Sequence, residues 1–331
     1  MSATIPTLDS ACEAALRNHA VVGDTRWAAI EASGADLRDY LQGQITQNIR
    51  RLSDDQAIHC AILTPQGKAV SELYIVQRTA EQLLILTPGH LLQATLQRLQ
   101  QFLLRAAVRF TALTDYAVYT LQGAAAAQQL PSNIHMPSHS GWLTTGTDPS
   151  GQITALRMGR EPQQFWLIAP PAQLQTITAA CHTLNEESVT ALRILHGLPE
   201  FGQEWDSTIH PLNANLIETD GVDFDKGCYV GQEVTSRMHW RGGIKKRLYR
   251  VALDQPPEQA PCPIHTSAPI GVLQSAACDS QGCCFGIALL PIESVEQQTR
   301  FTLPQGGSLR VLTPCRAPCH DPAEPIPEPR S

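Results

Sequence analysis

The segment from Lys226 to Glu233 brings a thiol, an ammonium and two glycines together within a few residues. It reads Lys-Gly-Cys-Tyr-Val-Gly-Gln-Glu, so Cys228 stands two residues after Lys226. A thiol acts as a nucleophile or a metal ligand only as the thiolate, which a neighbouring cation favours. An arbitrary cysteine is more often a buried structural residue, but the lysine, the glycines and the polar neighbours favour chemistry here. We therefore predict that Cys228 is the reactive group and that Lys226 stabilises its thiolate.

The residues around Cys228 are expected to shape and hold its loop. Gly227 and Gly231 permit a tight turn, after which the pattern becomes helical, with Val234 and Met238 four residues apart on one face. Cys228 would then lie just before a helix N-terminus, where backbone N–H groups favour an anion. The side chains expected to support the motif are Tyr229 together with Gln232, Glu233 and Arg237, the last three through hydrogen bonds and ion pairing.

Composition and charge restrict the class of protein. The chain has 331 residues, of which 43% are hydrophobic and 17% charged, and a formal net charge of −7. These values are typical of a globular protein with two or three subdomains, and they argue against a DNA-coating protein. The N-terminus has no basic or apolar leader, and no run approaches the roughly 18 apolar residues of a membrane span. We expect a cytoplasmic protein with no membrane partner and with reduced cysteines.

A second group of cysteines lies near the end of the chain and raises a metal site as an alternative. The group consists of Cys278, Cys283, Cys284, Cys315, Cys319 and His320. Its spacing lacks paired Cys-x-x-Cys knuckles, so a zinc site is weakly supported. We predict no metal site, and we expect these cysteines to be buried in a β module. No glycine-rich phosphate loop or dinucleotide fingerprint occurs, which argues against ATP or NAD.

The pattern of strands and helices predicts an α+β fold. A first round has strand-like runs at 28–32, 58–63, 69–76 and 83–86, followed by a helical stripe at 91–103. A second round has strands at 117–121 and 165–169, a surface loop between them at 131–150, and a helix at 172–184. Two such rounds indicate α+β subdomains rather than a doubly wound parallel sheet. Short β runs punctuated by Pro and Gly then predict a small barrel or sandwich near the C-terminus.

Several separate segments occur in an order that resembles the YgfZ family of folate-binding proteins, relatives of the glycine-cleavage T-protein (aminomethyltransferase) superfamily. Besides the cysteine motif they are Leu41–Thr46, Leu63–Lys68, Arg193–Pro199 and Pro211–Leu216. The resemblance covers roughly residues 20–250. It implies a ring of T-protein-like α+β subdomains followed by a small C-terminal β-barrel. We accordingly predict a folate-binding region of two subdomains at 1–244, a barrel at 245–320 and an extended or disordered tail at 321–331.

The resemblance also implies a cofactor and partners. The cofactor is tetrahydrofolate or a derivative in a channel through the ring, and the partners are iron–sulfur client enzymes, including one that thiomethylates tRNA. Contact with tRNA would be indirect, whereas Cys228 could contact an iron–sulfur cluster transiently. Trp27 and Val189 match the positions of two tryptophans that flank the folate in related proteins. Valine can pack against a pterin but provides no aromatic stacking, which reduces the binding free energy by on the order of 1 kcal/mol.

Polar residues on either side of the motif are weaker candidates. No acidic residue occurs between Val234 and Leu253, so this stretch is either a solvated face or a surface for an anion such as the folate glutamate tail or tRNA phosphate. Its candidate anion-binding residues are Lys245, Lys246 and Arg247. On the other side, Glu204, Asp206 and His210 are expected to face solvent or cap helices.

Three functions stay open at this point. The first is an accessory factor for iron–sulfur enzymes, in which Cys228 ligates cluster iron or sulfur or attacks a thiol or persulfide. The second is a folate-dependent one-carbon transferase of the aminomethyl type, which needs an acid/base group near the folate but no thiol. The third is a tRNA-binding module whose affinity falls steeply with salt. The residues alone leave open whether any reaction is catalysed.

Overall fold

The structure, a computed structural model, describes residues 5–137, 143–159, 163–304 and 306–316. The helices are α1 (Ser10–Asn18), α2 (Leu37–Gln42), α3 (Leu92–Gln100), α4 (Pro171–Ile177), α5 (Glu186–Leu195), α6 (Gln232–Trp240) and α7 (Ile292–Gln297). The strands are β1 (Val21–Asp24), β2 (Trp27–Ser33), β3 (Ile58–Leu63), β4 (Ala69–Gln77), β5 (Gln82–Pro88), β6 (Arg109–Leu113), β7 (Ala117–Gln122), β8 (Thr145–Thr147), β9 (Thr154–Gly159), β10 (Gln164–Ala169), β11 (His182–Thr183), β12 (Lys246–Leu253), β13 (Cys262–His265), β14 (Pro269–Cys278), β15 (Cys284–Pro291), β16 (Arg300–Thr302) and β17 (Ser308–Pro314). The tail predicted at 321–331, and Cys319 and His320, lie outside the described residues.

The first sheet is antiparallel and has the order β3-β4-β5-β2-β6. Side chains alternate between its faces, as the two-residue period of a strand requires. One face packs on α2 and α3 through residues such as Leu41, Ile75 and Leu99. The opposite face carries Trp27 and Tyr74. Both faces of β3 are covered, so all six of its residues are buried, including the polar His59.

The second sheet has the order β11-β1-β7-β10-β9-β8. One of its faces packs on α4 through Phe165 and Leu174. Its other face shares a hydrophobic cluster with the first sheet, in which Val118 and Trp166 meet Trp27. The two sheets therefore face each other, with an aromatic cluster between them.

The C-terminal strands close into a barrel of order β12-β15-β14-β13-β16-β17, which runs from Lys246 to Pro314. The predicted α+β class with a small C-terminal β-barrel is therefore confirmed, while the domain boundaries stay a prediction. The expectation of reduced cysteines is wrong for one pair. Cys278 and Cys284 are directly paired on β14 and β15 and form a disulfide, because this register brings the two side chains to the same face of the hairpin.

Two other differences have local causes. The helix predicted at 172–184 ends at Ile177, and α5 begins only after Asn185, whose side chain accepts a hydrogen bond from the Ser188 N–H at 2.8 Å. This side chain caps α5, and between the two helices His182 and Thr183 do not continue the predicted helix because they pair with Val21 and Val22 of β1. Within the predicted loop at 131–150, Thr145–Thr147 forms β8. Among the described helices, none has the length and apolar character that a membrane crossing needs.

Candidate functional site

A cavity of about 450 Å³ lies between the two sheets and α5. Trp27, His59, Glu72 and Tyr74 line it from the first sheet; Thr120, Gln122, Met158, Gln164 and Trp166 line it from the second; Val189, Arg193, Glu200 and Trp205 line it from α5 and the chain that follows. The volume is in the range of small-molecule and cofactor sites. The structure thus brings Trp27 and Val189, both predicted folate contacts, to one cavity.

Aromatic rings form one wall of the cavity. The Trp27 ring centroid lies 4.9 Å from that of Trp166 and 5.3 Å from that of Tyr74. His59 stacks on Tyr74 at 4.8 Å. Such a wall can pack against a flat aromatic ligand. Trp166 and Tyr74 were not among the predicted site residues, although both lie in predicted strands, at positions that face the partner sheet.

A carboxyl group is held at the Trp27 end of the cavity. The Trp27 indole Nε1–H donates to Glu200 Oε2 at 3.0 Å, and Arg193 Nε lies 3.9 Å from the same oxygen. Burial raises the pKa of Glu200 to about 7, although Arg193 and the Trp27 hydrogen bond oppose the increase. This carboxyl therefore titrates near neutral pH, which suits a group that binds a ligand or transfers a proton.

Arg193 is held in turn by Glu204. Its Nη1 and Nη2 atoms donate to the two carboxylate oxygens of Glu204 at 2.6 and 2.9 Å. The Glu204 side chain is only 1% exposed, so the expectation that Glu204 faces solvent or caps a helix is wrong. A buried carboxylate is stable here because a bidentate guanidinium and the Glu200 N–H, at 2.9 Å, satisfy it.

His59 and Glu72 hold a proton between them beside this network. His59 Nδ1 lies 3.0 Å from the Thr219 carbonyl oxygen, and its Nε2 lies 2.7 Å from Glu72 Oε1. A carbonyl oxygen only accepts, so Nδ1 carries a hydrogen. The contact between Nε2 and Glu72 then needs a further proton, on either the imidazole or the carboxyl. The cavity wall thus contains two buried acid–base sites, at Glu200 and at the His59–Glu72 pair.

Val189 reaches the cavity because α5 lies close to β1. A Cβ atom on Gly23 would be 2.4 Å from Val189 Cγ2, so only a glycine on β1 allows this approach without a shift. The side chain is partly buried and packs with Val21 and Leu184. The predicted position is thus confirmed to be at the cavity, and its role toward a ligand stays a prediction.

Cys228 lies on the surface and is not among the residues that line the cavity. It is an exposed free thiol in an open depression of about 850 Å³ that also contains Phe102, Arg237, Trp240 and Arg241. The predicted site residues therefore belong to two places, an enclosed cavity and this open face.

The two glycines of the motif shape the loop as predicted. Gly227 and Gly231 have φ values of +92° and +86°, in the left-handed region that favours glycine. A Cβ atom on Gly231 would also lie 2.7 Å from the Thr64 carbonyl oxygen. Helix α6 begins at the next residue, Gln232, so Cys228 does lie just before a helix N-terminus.

The Lys226 side chain points into the protein rather than to solvent. Its Nζ donates to the carbonyl oxygens of Gln42 and Ile45 at 2.7 and 2.6 Å, and it lies 4.9 Å from the Tyr229 ring centroid. Burial lowers the pKa of Lys226 to about 8, although Cys60 and Asp223 oppose the decrease. These contacts anchor the motif to the loop after α2, which differs from the predicted role at the thiolate.

Tyr229 connects the motif to the cavity wall. It is 7% exposed and packs in a cluster with Trp205, Ala214 and Leu216, and these three residues also line the cavity. One hydrophobic cluster therefore extends from the cysteine loop to the cavity wall.

The remaining motif residues lie on the surface of α6. Arg237 and Glu233 form an ion pair at 2.6 Å with both side chains more than half exposed, a kind of pair that adds little stability. The predicted apolar face of this helix is only partly buried, because Val234 is 39% exposed. Trp240, at the end of the helix, is 71% exposed.

The three cationic candidates differ in exposure and pairing. Arg247 Nη2 pairs with Glu218 Oε1 at 2.8 Å, whereas Lys245 and Lys246 are exposed. In the part of the chain that the structure describes, no three His, Cys, Asp or Glu side chains are grouped so that they could hold a metal ion.

The two facing sheets, the enclosed cavity and the C-terminal barrel define the fold of an aminomethyltransferase T. The crystal structure of the glycine cleavage system aminomethyltransferase T from Bartonella henselae matches 89% of this chain and 86% of that chain, with a TM-score of 0.78 and 17% identity. At this identity the similarity shows the fold alone.

Comparison of sequences identifies the family. The chain is 30% identical over 231 residues to the tRNA-modifying protein YgfZ of Yersinia pseudotuberculosis serotype O:1b (strain IP 31758), covering 68% of each protein. The tRNA-modifying protein YgfZ of Yersinia pestis (strain Pestoides F) matches with the same identity and coverage. No family model matches the chain. The chain belongs to the YgfZ family, as the resemblance of its motifs predicted.

Proposed function

We propose that this protein binds tetrahydrofolate or a derivative in the cavity and supports tRNA modification in the cytoplasm as an accessory factor for iron–sulfur enzymes. The observation that carries the proposal is the pairing of the Trp27 indole with the Glu200 carboxyl inside a cavity of about 450 Å³. The name of the relatives, tRNA-modifying protein YgfZ, agrees with it.

The cavity residues fit the chemistry of a reduced folate. A pterin presents a 2-amino group and the N3–H on one edge, and a carboxylate accepts hydrogen bonds from both. Glu200 would bind this edge, held in place by Trp27 and by the positive charge of Arg193. Trp27, Tyr74 and Trp166 would pack against the rings, with Val189 as an aliphatic contact. Bound folate would supply a one-carbon carrier.

Titration of the purified protein with 5-formyltetrahydrofolate tests this part of the proposal. We expect saturable binding at one site, weakened at least about tenfold in Trp27→Leu, which loses both the ring contact and the support of Glu200. Trp240→Leu is the matched control, because this exposed tryptophan lies at the surface depression. Absence of binding by the wild-type protein, or equal loss in both variants, would contradict the proposal.

Cys228 would act on a partner rather than on the folate. Its thiol is exposed in an open depression outside the cavity, where a client enzyme can reach it. It would serve as a transient ligand to cluster iron, or as the thiolate that attacks the outer sulfur of a partner persulfide, so that the sulfur moves to Cys228 and the partner leaves as its thiolate. We propose no direct tRNA site, since Arg247, one of the three candidate cations, is already paired with Glu218.

A folate-dependent one-carbon transferase is the second candidate function. Glu200 favours it, because a cavity carboxyl with a pKa of about 7 can accept or donate a proton at neutral pH. Turnover of methylenetetrahydrofolate by the purified protein is the test. Turnover that is lost in Glu200→Gln and kept in Cys228→Ser would replace the first proposal with this one.

A further inference from the structure

Two glutamines on neighbouring strands form a polar patch in the cavity wall. Gln122 on β7 and Gln164 on β10 are directly paired in the register, and both line the cavity. They are 2% and 8% exposed. Gln122 Nε2 donates to Thr120 Oγ1 at 2.8 Å, but Gln122 Oε1 is buried and has no hydrogen-bond partner in the described residues.

This unmatched oxygen is unusual for a folded protein. Most buried side-chain oxygens accept a hydrogen bond, and leaving one unpaired costs about 1–3 kcal/mol. Among the described residues, no side chain on this face of β7 and β10, including Thr120 and Trp166, donates a hydrogen bond to it. A donor from a bound molecule would remove this cost.

The patch lies at a defined place relative to the aromatic wall. Thr120 pairs with Trp166, which contacts Trp27, and the glutamine pair is two residues further along the strands, a step of about 7 Å. The segment that leads to Trp27 lies at the opposite end of β7, where the Thr25 N–H donates to the Val118 carbonyl oxygen. The cavity thus has one polar contact beside Trp27, at Glu200, and another beyond the tryptophans, at the two glutamines.

We infer that Gln122 and Gln164 bind a secondary amide of the ligand, whose N–H donates to Gln122 Oε1. The inference rests on the proposed folate function. Outside the pterin, a folate has a secondary amide that joins its benzoyl ring to glutamate and is separated from the pterin by that ring. With the pterin edge at Glu200 and the rings against the tryptophans, the amide is the part of the molecule that would extend to the glutamines.

The test measures affinity for two probes, 5-formyltetrahydrofolate and 6-methyltetrahydropterin, which lacks the benzoylglutamate. Gln122→Met removes the acceptor and nearly keeps the side-chain volume. We expect affinity for 5-formyltetrahydrofolate to fall about tenfold and affinity for the pterin to stay unchanged. Gln164→Met should also lower the affinity for 5-formyltetrahydrofolate. A thermal melt of each variant reports whether it folds.

Gln173→Met is the matched control. Gln173 Nε2 also donates to a side-chain oxygen, that of Gln152, and its Oε1 is also buried without a partner, but the residue does not line the cavity. We expect no change in affinity for either probe. An equal loss for both probes in Gln122→Met would place the donor on the pterin and overturn the amide assignment. Unchanged affinity in Gln122→Met and Gln164→Met would overturn the contact itself, whereas a wild-type protein that binds neither probe would remove the proposed function along with it.

Discussion

The cavity encloses its polar groups, whereas the cysteine segment exposes its thiol. The cavity region buries carboxyl groups and satisfies them with hydrogen-bond donors, Arg193 for Glu204 and, from 173 residues away in the chain, Trp27 for Glu200. The cysteine segment buries its lysine and tyrosine but exposes its thiol. The first arrangement suits a small molecule that must be enclosed, and the second suits a reactive group that must meet a macromolecule.

One hydrophobic cluster nevertheless connects the two regions. Trp205, Ala214 and Leu216 line the cavity and belong to the same hydrophobic cluster as Tyr229, next to Cys228. If the two regions have separate functions, substitutions in one should leave the measured property of the other intact.

The largest expected effect is that of Cys228→Ser on tRNA thiomethylation. In a strain lacking this protein, wild type should restore the modification and Cys228→Ser, at equal expression, should not, because a hydroxyl does not provide a thiolate. Affinity for 5-formyltetrahydrofolate should be unchanged in this variant. Cys283→Ser, which alters another exposed free cysteine, is the control and should restore the modification. Equal restoration by all three proteins would make Cys228 a structural residue.

Arg193→Ala should produce the largest loss of stability. It leaves the Glu204 carboxylate buried without its bidentate partner, and breaking a buried pair in this way typically costs about 3–5 kcal/mol. Arg237→Ala breaks the exposed pair with Glu233 on α6 and should cost less than about 1 kcal/mol. Urea unfolding of both variants measures the difference. Similar losses of unfolding free energy in the two variants would mean that the Arg193–Glu204 pair stabilises the fold no more than the Arg237–Glu233 pair does.

Folate affinity should depend on pH through Glu200. The carboxyl, with its pKa raised to about 7, must be ionised to accept hydrogen bonds from the pterin edge, so affinity should rise with pH. Between pH 6 and pH 8 the increase should be about tenfold. Glu200→Gln should bind more weakly at pH 8 and lose this dependence. A pH dependence of affinity that survives in Glu200→Gln would show that Glu200 is not its source.

Val189→Trp should have the smallest effect and should sharpen the description of the cavity wall. The side chain lines the cavity and is only partly buried, so a tryptophan there can add a ring contact. Aromatic contacts of this kind contribute about 0.5–1.5 kcal/mol, so affinity for 5-formyltetrahydrofolate should increase about fivefold. Calorimetric titration measures it, with Val234→Trp on the exposed face of α6 as the control. Weaker binding in Val189→Trp would show that valine at this position makes room for the ligand.

Much of the fold could be predicted from local patterns. The apolar runs of β3, β4 and β5, the stripe of α3 and the glycines before α6 each carry their own signal within a few residues. Local patterns failed at 178–184, where His182 and Thr183 pair with β1 instead of continuing the helix. Family motifs added the order of the subdomains and the position of Trp27 and Val189 at the cavity.

The sequence by itself determined the α+β class, the C-terminal barrel, the family and a cysteine placed just before a helix, since these depend on periodicity and on short motifs. Only the tertiary structure decided which polar side chains are buried and what they contact. Trp27 and Glu200 are 173 residues apart in the chain and meet across the cavity, and the Lys226 ammonium finds two carbonyl oxygens 184 and 181 residues away. A buried glutamate or lysine has the same local sequence pattern as an exposed one, because the partners that make its burial possible come from elsewhere in the fold.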